Sequence, residues 1–256
     1  MTTHLVHSGR WSEAVCCCGN SGEKIFRKIL RHPEKHQFLR EHHGSKKAFE
    51  HGILTPMPIG FHMDSSNCLR ALDFEYMEID KIENWEERYT EVFELVAALS
   101  RIAIGEVEKS LTHSVKDELL LPIGPTFVFL QEEGFSEATC ILSESIECFK
   151  KSANSVFCHG DLGPHNLGLH RGRLICFDFQ LVCAGPKGWD LAYFLGCFNP
   201  ATFQASLSSL EQKILLWAVL VAGIKLGRRI RRGGDVAERL LVFQDWVKSF
   251  SRLSGY

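Results

Sequence analysis

The chain has 256 residues, of which 45% are hydrophobic and 23% charged, so it is long enough for one large domain or two small lobes with a real core. Its formal net charge of −2 excludes a whole-chain attraction to nucleic acid or to a membrane surface, and we expect neither partner. The longest apolar run, Ile214 to Ile224, is too short to span a bilayer and indicates a buried helix.

The first 80 residues predict mostly strands. Short apolar runs favour strands at His4–His7, Glu13–Cys18, Lys24–Leu30 and Leu69–Ile79. Gly19-Asn20-Ser21-Gly22 lies between the second and third of these and is typical of a tight hairpin turn. A polar helix is predicted from about Glu34 to His51, with Gly52 at its end.

After Asn84 the apolar spacing becomes helical. It predicts one long amphipathic helix from Trp85 to about Leu111, whereas 115–135 is ambiguous. Further helices are predicted at Cys140–Lys151, Trp189–Cys197, Leu210–Ile230 and Val236–Leu253, and a strand at Leu174–Phe179. This layout predicts an α+β fold with a small β-rich N-terminal lobe and a larger helical C-terminal lobe, with ligands bound in a cleft between them.

The ten cysteines are scattered along the chain, apart from the triplet Cys16-Cys17-Cys18. They form no CxxC pair and no zinc-ligand spacing, and the N-terminus shows no signal-peptide pattern. These features predict reduced thiols in a cytoplasmic protein. A redox or metal role for the triplet stays open beside the simpler explanation, which is alternate positions on a strand.

The block 157–166 carries the sharpest chemical signal. His159, Asp161 and Asn166 fit the kinase catalytic loop, H-x-D-L-x-x-x-N, at each fixed position. Twelve residues after Asn166, Asp178 follows an apolar segment, where a metal-binding carboxylate belongs in such an enzyme. Each residue alone could be a turn residue, but the joint spacing favours a phosphotransferase site.

Phosphoryl transfer depends mainly on positioning and charge neutralisation, and these residues can supply both. Asp161 is the predicted catalytic carboxylate, which orients the attacking hydroxyl and accepts its proton. Asn166 and Asp178 are the predicted oxygen ligands of Mg²⁺ and complete the catalytic set.

The spacing His159-x-Asp161-x-x-x-x-Asn166, followed by Asp178-Phe179 and Asp190-Leu191-Ala192, resembles the aminoglycoside phosphotransferase and choline kinase superfamily. Gly160 stands where protein kinases have arginine, which favours the small-molecule branch. The resemblance implies a bilobal protein-kinase-like fold, ATP or GTP as phosphate donor, Mg²⁺, and a small-molecule hydroxyl acceptor. It also implies that His159 and Asp190 support the catalytic loop, although Asp190 could instead cap its own helix.

The resemblance extends to five residues of the N-terminal part. It implies a nucleotide-covering loop that ends near Ser12, and a phosphate-binding lysine, Lys28, paired with Glu41. It also implies a hinge in which the backbone between Glu75 and Met77 binds the adenine edge. The alternative for Lys28 and Glu41 is two solvated surface charges.

Arg27 competes with Lys28 for the phosphate contact, but strand alternation places the two side chains on opposite faces. The implied nucleotide-binding lobe is 1–77, and the catalytic and acceptor-binding lobe is 78–256. Residues 112–152 match no part of the family pattern. Two other functions stay open, a protein or effector-type kinase and a catalytically silent nucleotide-binding module.

The acceptor itself is weakly specified, but the charge of the C-terminal helices bears on it. From 201 to 256 there are nine Lys or Arg residues and four acids, and in this family these helices border the acceptor site. A basic border would repel a polycationic aminoglycoside, so a neutral or anionic hydroxyl compound fits better. Alternatively, 228–232 is basic only because cations are favoured at a helix C-terminus. Trp189 and Tyr193 are predicted either to stack on the acceptor or to belong to the core.

Overall fold

The structure, a computed structural model, describes residues 4–8, 12–18, 22–31 and 37–255. Its backbone divides into two compact units, one of 1–82 and 166–181 and the other of 83–165 and 182–256. The segment 166–181, which carries both predicted metal ligands, therefore groups with the N-terminal part of the chain. The assignment of nucleotide and acceptor functions to 1–77 and 78–256 stays a prediction.

An antiparallel five-stranded sheet in the order β1-β2-β3-β5-β4 forms the first unit. Its strands are β1 (His4–Ser8), β2 (Ser12–Cys18), β3 (Lys24–Leu30), β4 (Pro58–Met63) and β5 (Leu69–Glu75). On β3, Lys28 lies opposite Ala14 on one neighbouring strand and Leu72 on the other. Because β3 is paired on both sides, the backbone at Lys28 is held in register by two strands.

The strand predictions for this unit are largely confirmed, with two corrections. The strand predicted over Leu69–Ile79 is too long, since β5 ends at Glu75. Strand β4 was not predicted, because it begins with Pro58 and lies at the sheet edge with most of its residues exposed. The predicted Gly19-Asn20-Ser21 turn lies outside the described residues, as do Gly9–Trp11 of the predicted nucleotide loop.

The cysteine triplet lies on β2, where the side chains alternate as the sequence predicts. Cys17 is buried, whereas Cys18 is exposed and Cys16 is half-buried. Burial raises the pKa of the Cys17 thiol, which disfavours the reactive thiolate there. Packing in the sheet accounts for the triplet.

One helix and one hairpin complete the first unit. Helix α1 (Gln37–Glu50) ends just before Gly52, whose φ of 79° suits the left-handed residue that follows many helices. Strands β7 (Leu167–His170) and β8 (Arg173–Cys176) pair in an antiparallel hairpin, and Asp80 forms an isolated bridge to β7. The predicted end of α1 is confirmed, and its predicted first residues, 34–36, lie outside the described part.

The second unit is mainly helical, as the sequence predicts. Its helices are α2 (Tyr89–Ser100), α3 (Glu106–Leu120), α4 (Ile123–Glu132), α5 (Ser136–Lys151), α6 (Trp189–Leu195), α7 (Gln204–Leu207), α8 (Gln212–Arg231) and α9 (Ala237–Ser254). There are also 3₁₀ turns at Pro164–Asn166 and Pro200–Phe203, and Asn166 itself belongs to the first unit. Strands β6 (Val156–Cys158) and β9 (Cys183–Gly185) pair antiparallel.

The single long helix predicted from Trp85 to Leu111 is wrong. The chain leaves the helical conformation after Ser100 and begins α3 at Glu106. Gly105 adopts an extended conformation there, and its backbone N–H donates to the Glu108 side chain at 2.6 Å, as in a capping box. The N-terminus of α3 therefore interrupts an apolar pattern that otherwise continues at helical spacing.

Residues 112–152, in which the sequence alone shows no family motif, lie in α3, α4 and α5, of which α4 and α5 pack on α8. Gly227 of α8 lies so close to Pro122 that an added Cβ atom would approach the Pro122 carbonyl oxygen to 1.9 Å. Thr126 also donates a hydrogen bond to the Gly223 carbonyl oxygen at 2.9 Å. These contacts fix α8, whose apolar stretch is buried as predicted.

Among the described residues, we find no helix whose length and apolar content suit a membrane span.

Candidate active site

In the first unit, Lys28 lies between two carboxylates. Its ammonium nitrogen donates to both oxygens of Glu41, at 3.0 and 2.8 Å, and to Oδ1 of Asp178 at 3.0 Å. The Lys28 and Glu41 side chains are 11% and 5% exposed, so the alternative of two solvated surface charges is wrong. The Asp178 side chain is 36% exposed and leaves a carboxylate accessible beside the lysine.

Local backbone structure explains how these three residues meet. Lys28 comes from the paired strand β3 and Glu41 from helix α1. Asp178 follows β8, which ends at Cys176, so the predicted strand to Phe179 is too long. Asp178 has a φ of 68°, a left-handed conformation that aspartate tolerates better than most residues but that still costs free energy. Such strain is typical of a functional position.

Arg27 belongs to the opposite face of the sheet, as strand alternation predicts. Its guanidinium donates to both oxygens of Asp73 at 2.7 and 2.8 Å, and His62 Nε2 lies 2.7 Å from the same carboxylate. Arg27 is therefore bound to a structural partner and does not compete with Lys28 for a phosphate.

Burial and charge oppose each other in the Lys28 cluster. Burial raises the pKa of Glu41 above its ordinary value, and the Lys28 ammonium opposes that rise. Burial acts to lower the pKa of Lys28, but the carboxylates of Glu41 and Asp178 raise it overall. Gln180 Nε2 also donates to Glu41 Oε2, at 3.4 Å. The lysine therefore remains charged at neutral pH, and its positive charge opposes the protonation of the buried Glu41 carboxylate.

Replacing Lys28 by methionine is expected to lower the free energy of unfolding by about 3–5 kcal/mol, because it leaves the Glu41 carboxylate buried without its main partner. Without the lysine the folded-state pKa of Glu41 rises further above its unfolded value. The folded state then holds a proton that the unfolded state releases, so the loss of stability should be larger at pH 8 than at pH 5. Urea unfolding at both pH values measures it.

The matched control is Arg31→Met, which removes an exposed ion pair with Glu13 and should cost less than about 1 kcal/mol. The double variant Lys28→Met with Glu41→Leu should recover part of the stability, since no buried charge remains. Equal losses for Lys28→Met and Arg31→Met would contradict the importance of this buried pair.

In the second unit, the predicted catalytic loop is held by Asp190. Its carboxylate oxygens accept hydrogen bonds from the backbone N–H groups of His159, at 2.8 Å, and Gly160, at 2.9 Å. Trp189 Nε1 donates to the Gly160 carbonyl oxygen at 3.3 Å, and Gly160 has a φ of 86°, which suits glycine. These are the contacts that a loop-bracing role for Asp190 requires. His159 Nδ1 accepts from the Asp161 N–H at 3.4 Å.

Trp189 and Tyr193 belong to the core, which decides between the two alternatives that the sequence leaves open. The two side chains are 1% and 0% exposed, and their rings pack edge to face with centroids 5.9 Å apart. Neither ring presents a face on which an acceptor could stack.

Asp161 lies among three basic side chains of the second unit. His165 Nε2 is 3.4 Å from Asp161 Oδ2, while Lys225 Nζ and Arg228 Nη1 are 3.9 and 4.0 Å from Oδ1. Burial acts to raise the pKa of Asp161, but the contact with His165 and the positive charge of Lys225 hold it well below the ordinary value. Asp161 is therefore ionised throughout the neutral pH range and can accept a hydrogen bond from a hydroxyl.

Sequence reasoning did not single out Lys225 and Arg228, which it treated only as part of a basic C-terminal region. A signal was present, because Lys225 interrupts the apolar stretch of α8 and lies three residues from Arg228. Residues at this spacing share a helix face. A lysine within a buried helical stretch indicates a partner, and the structure identifies Asp161 as that partner.

The other predicted site residues lie in the first unit. Asn166 is 2% exposed, and its carbonyl oxygen accepts from the Phe177 N–H at 3.1 Å, which ties it to the segment before Asp178. Ser12 is the first residue of β2, Glu75 is the last residue of β5, and Met77 follows two residues later. Their roles in nucleotide binding stay predictions.

Comparison with known proteins decides the family. The model of a phosphotransferase enzyme family, APH, matches residues 5–213. The chain belongs to this family. The match includes the Lys28 cluster and the loop that carries Asp161, and the predicted family is therefore confirmed. A search of curated proteins found no match.

Solved structures confirm the protein-kinase-like fold of this phosphotransferase. A thermostable mutant of aminoglycoside phosphotransferase APH(4)-Ia, in ternary complex with ADP and hygromycin B, has a TM-score of 0.65 at 12% identity, with 100% of this chain and 95% of that chain covered. Amicoumacin kinase hAmiN with AMP-PNP, Ca²⁺ and Ami has a TM-score of 0.64 at 13% identity, with coverage of 98% and 88%. The GDP complex of aminoglycoside 2'-phosphotransferase-IIIa has a TM-score of 0.59 at 12% identity, with coverage of 97% and 93%.

Proposed function

We propose that this phosphotransferase moves the γ-phosphate of ATP to a hydroxyl group of a small molecule that is neutral or anionic. The observation that carries the proposal is the Lys28 ammonium bonded to both Glu41 and Asp178. A buried lysine fixed in this way can neutralise nucleotide phosphates, and a partly exposed carboxylate beside it can hold their counter-ion.

The residues present fit Mg²⁺ together with a nucleotide. Magnesium is usually held by one or two carboxylates, waters and substrate phosphate oxygens, and does not need a cage made of protein side chains. Asp178 and Asn166 offer such oxygens, and the described residues contain no cluster of three or more His, Cys, Asp or Glu side chains that could hold a metal by itself. Bound there, Mg²⁺ would neutralise charge on the transferring phosphate. Related structures contain ADP, AMP-PNP or GDP, so GTP is the alternative donor.

The contacts of the chain's own residues support the following roles. Asp161, ionised and held on the loop that Asp190 braces, orients the acceptor hydroxyl and accepts its proton. Lys28 neutralises the donor phosphates and is itself positioned by Glu41. Ser12 and the backbone between Glu75 and Met77 complete the proposed nucleotide site.

The charge beside Asp161 supports a neutral or anionic acceptor. Lys225 and Arg228 both approach this carboxylate, and a polycationic compound bound at Asp161 would be repelled by them. Related proteins have been solved with hygromycin B or with Ami, so a small-molecule acceptor is compatible with the fold. We also propose a cytoplasmic location, because all ten cysteines are free.

The proposal is tested by transfer of labelled γ-phosphate from ATP or GTP, with magnesium, to a panel of acceptors. The panel contains aminoglycosides, choline, thiamine, sugars, nucleosides, short hydroxy acids and a generic protein. We expect transfer to a neutral or anionic small molecule. Transfer to the protein alone would instead favour a protein kinase. Nucleotide binding without transfer to any member of the panel or to a small-molecule extract of cells would favour a catalytically silent module.

A further inference from the structure

Two cations on one face of α8 lie beside the proposed catalytic carboxylate. Lys225 and Arg228 are three residues apart, and their nitrogens lie 3.9 and 4.0 Å from the same oxygen, Asp161 Oδ1. A charge-assisted hydrogen bond between such groups is about 2.7–2.9 Å long. Asp161 therefore attracts both cations, but neither of them lies within hydrogen-bonding distance of its Oδ1 atom.

The cluster carries more positive than negative charge. The side chains of Lys225 and Arg228 are only 14% and 29% exposed. Both contact Tyr193, which stays neutral because burial raises its pKa: Lys225 lies over its ring, 4.7 Å from the centroid, and Arg228 donates to its hydroxyl at 3.1 Å. Arg239 adds a third cation nearby, donating to the Cys197 carbonyl oxygen at 3.3 Å. Largely buried cations that share one carboxylate favour a second anion.

Helix-end electrostatics accounts neither for the position of Lys225 nor for the contacts that Arg228, in the last turn of α8, makes with Tyr193 and Asp161. Arg229 does fit that explanation, because it is exposed and donates to the Asp235 carbonyl oxygen just beyond the helix. Lys225, in contrast, lies a full turn and more before the end of α8, and Arg228 points to Tyr193 and Asp161. His165 also lowers the pKa of that carboxyl, so Lys225 and Arg228 are not the only groups that favour its ionised form.

We propose that Lys225 and Arg228 form an anion subsite for the acceptor, so that the phosphorylated compound carries a carboxylate or phosphate group near its accepting hydroxyl. The inference rests on the proposed function, in which Asp161 binds that hydroxyl. Both nitrogens lie within 4.0 Å of Asp161, so the anionic group and the hydroxyl are separated by only a few bonds. Arginine and lysine together suit such an oxygen-rich anion.

The test is the binding of two small anions to the full chain, measured by calorimetry. One arm uses inorganic phosphate and the other glycolate, each with excess AMP-PNP and magnesium to displace the anion from any nucleotide site. We expect saturable binding of at least one anion. Lys225→Met and Arg228→Met should each weaken it by about tenfold or more. Arg228→Lys should retain most of the affinity, because it keeps the charge.

The matched control is Arg231→Met, which removes a charge from an exposed position of the same helix and should leave the affinity unchanged. Thermal melting checks that each variant is folded, and Lys225→Gln replaces Lys225→Met if the latter unfolds. Failure of both anions to bind, or equal affinities in the wild type and in the Lys225 and Arg228 variants, would overturn the subsite. Comparison of the affinities for phosphate and for glycolate shows whether the subsite prefers a phosphate or a carboxylate group.

This measurement separates the subsite from the proposed function, because it needs no turnover. Anion binding that depends on Lys225 and Arg228, without phosphate transfer to any acceptor, would retain the subsite and overturn the function. Phosphate transfer to an acceptor, without anion binding that depends on Lys225 and Arg228, would retain the function and overturn the subsite. A role limited to positioning Asp161 would alter turnover but leave anion affinity unchanged.

Discussion

Asp161→Asn is expected to lower kcat by about 100- to 10,000-fold, the range typical of removing a general base. The amide has nearly the shape of the carboxylate, so the backbone of the loop and its bonds to Asp190 should persist. The substitution removes the negative charge that accepts the hydroxyl proton and leaves Lys225 and Arg228 without their shared carboxylate. Nucleotide affinity should change little, because the proposed phosphate contacts are made by Lys28 in the first unit.

The measurement is steady-state phosphate transfer together with calorimetric binding of AMP-PNP. Asp117→Asn is the control, since it makes the same change on an exposed position of α3 in the same unit. If Asp161→Asn and Asp117→Asn had equal kcat, the assignment of Asp161 as the catalytic carboxylate would be wrong.

Asp178→Asn is expected to remove most of the magnesium dependence of nucleotide binding. With magnesium, the affinity for AMP-PNP should fall by about ten- to hundredfold, which corresponds to losing one charged ligand contact. Asparagine also tolerates the left-handed backbone at this position, where φ is 68°, so the local conformation should survive. Calorimetric titration with and without magnesium measures the difference.

The comparison without magnesium is needed because Asp178 also bonds to Lys28. If Asp178 acts only by positioning the lysine, the affinity should fall equally with and without the metal, and that result would contradict the metal assignment. Asp80→Asn serves as the control, since Asp80 is an exposed aspartate of the same unit. It should leave both affinities unchanged.

The sequence predicts the local parts of the site well because they lie close together in the chain. His159, Asp161 and Asn166 are recognised by spacing within one short loop, and Lys28 and Glu41 by their places on a strand and the following helix. The contact between Lys28 and Glu41 is confirmed at 2.8 Å. The catalytic and nucleotide-binding roles of these residues stay predictions until they are tested by substitution.

Periodicity was less reliable where another local signal competed with it. The apolar pattern continues past Ser100 at helical spacing, yet the Gly105–Glu108 cap begins a new helix. Strand β4 was missed because an exposed edge strand that begins with Pro58 has few of the features of a buried strand. In the first case a local capping signal prevailed over the hydrophobic periodicity, and in the second the strand has too few buried residues for the pattern to reveal it.

The sequence by itself determined the family, the catalytic-loop motif and the general layout of strands followed by helices, because each is encoded by short-range spacing and hydrophobic pattern. Only the tertiary structure decided that Lys225 and Arg228 face Asp161, and that Trp189 and Tyr193 belong to the core. The reason is physical: which face of α8 lies against the catalytic loop is set by close packing with residues distant in the chain, such as Pro122 against Gly227. The charge of these side chains can be read from the chain, but their neighbours depend on how the helices pack.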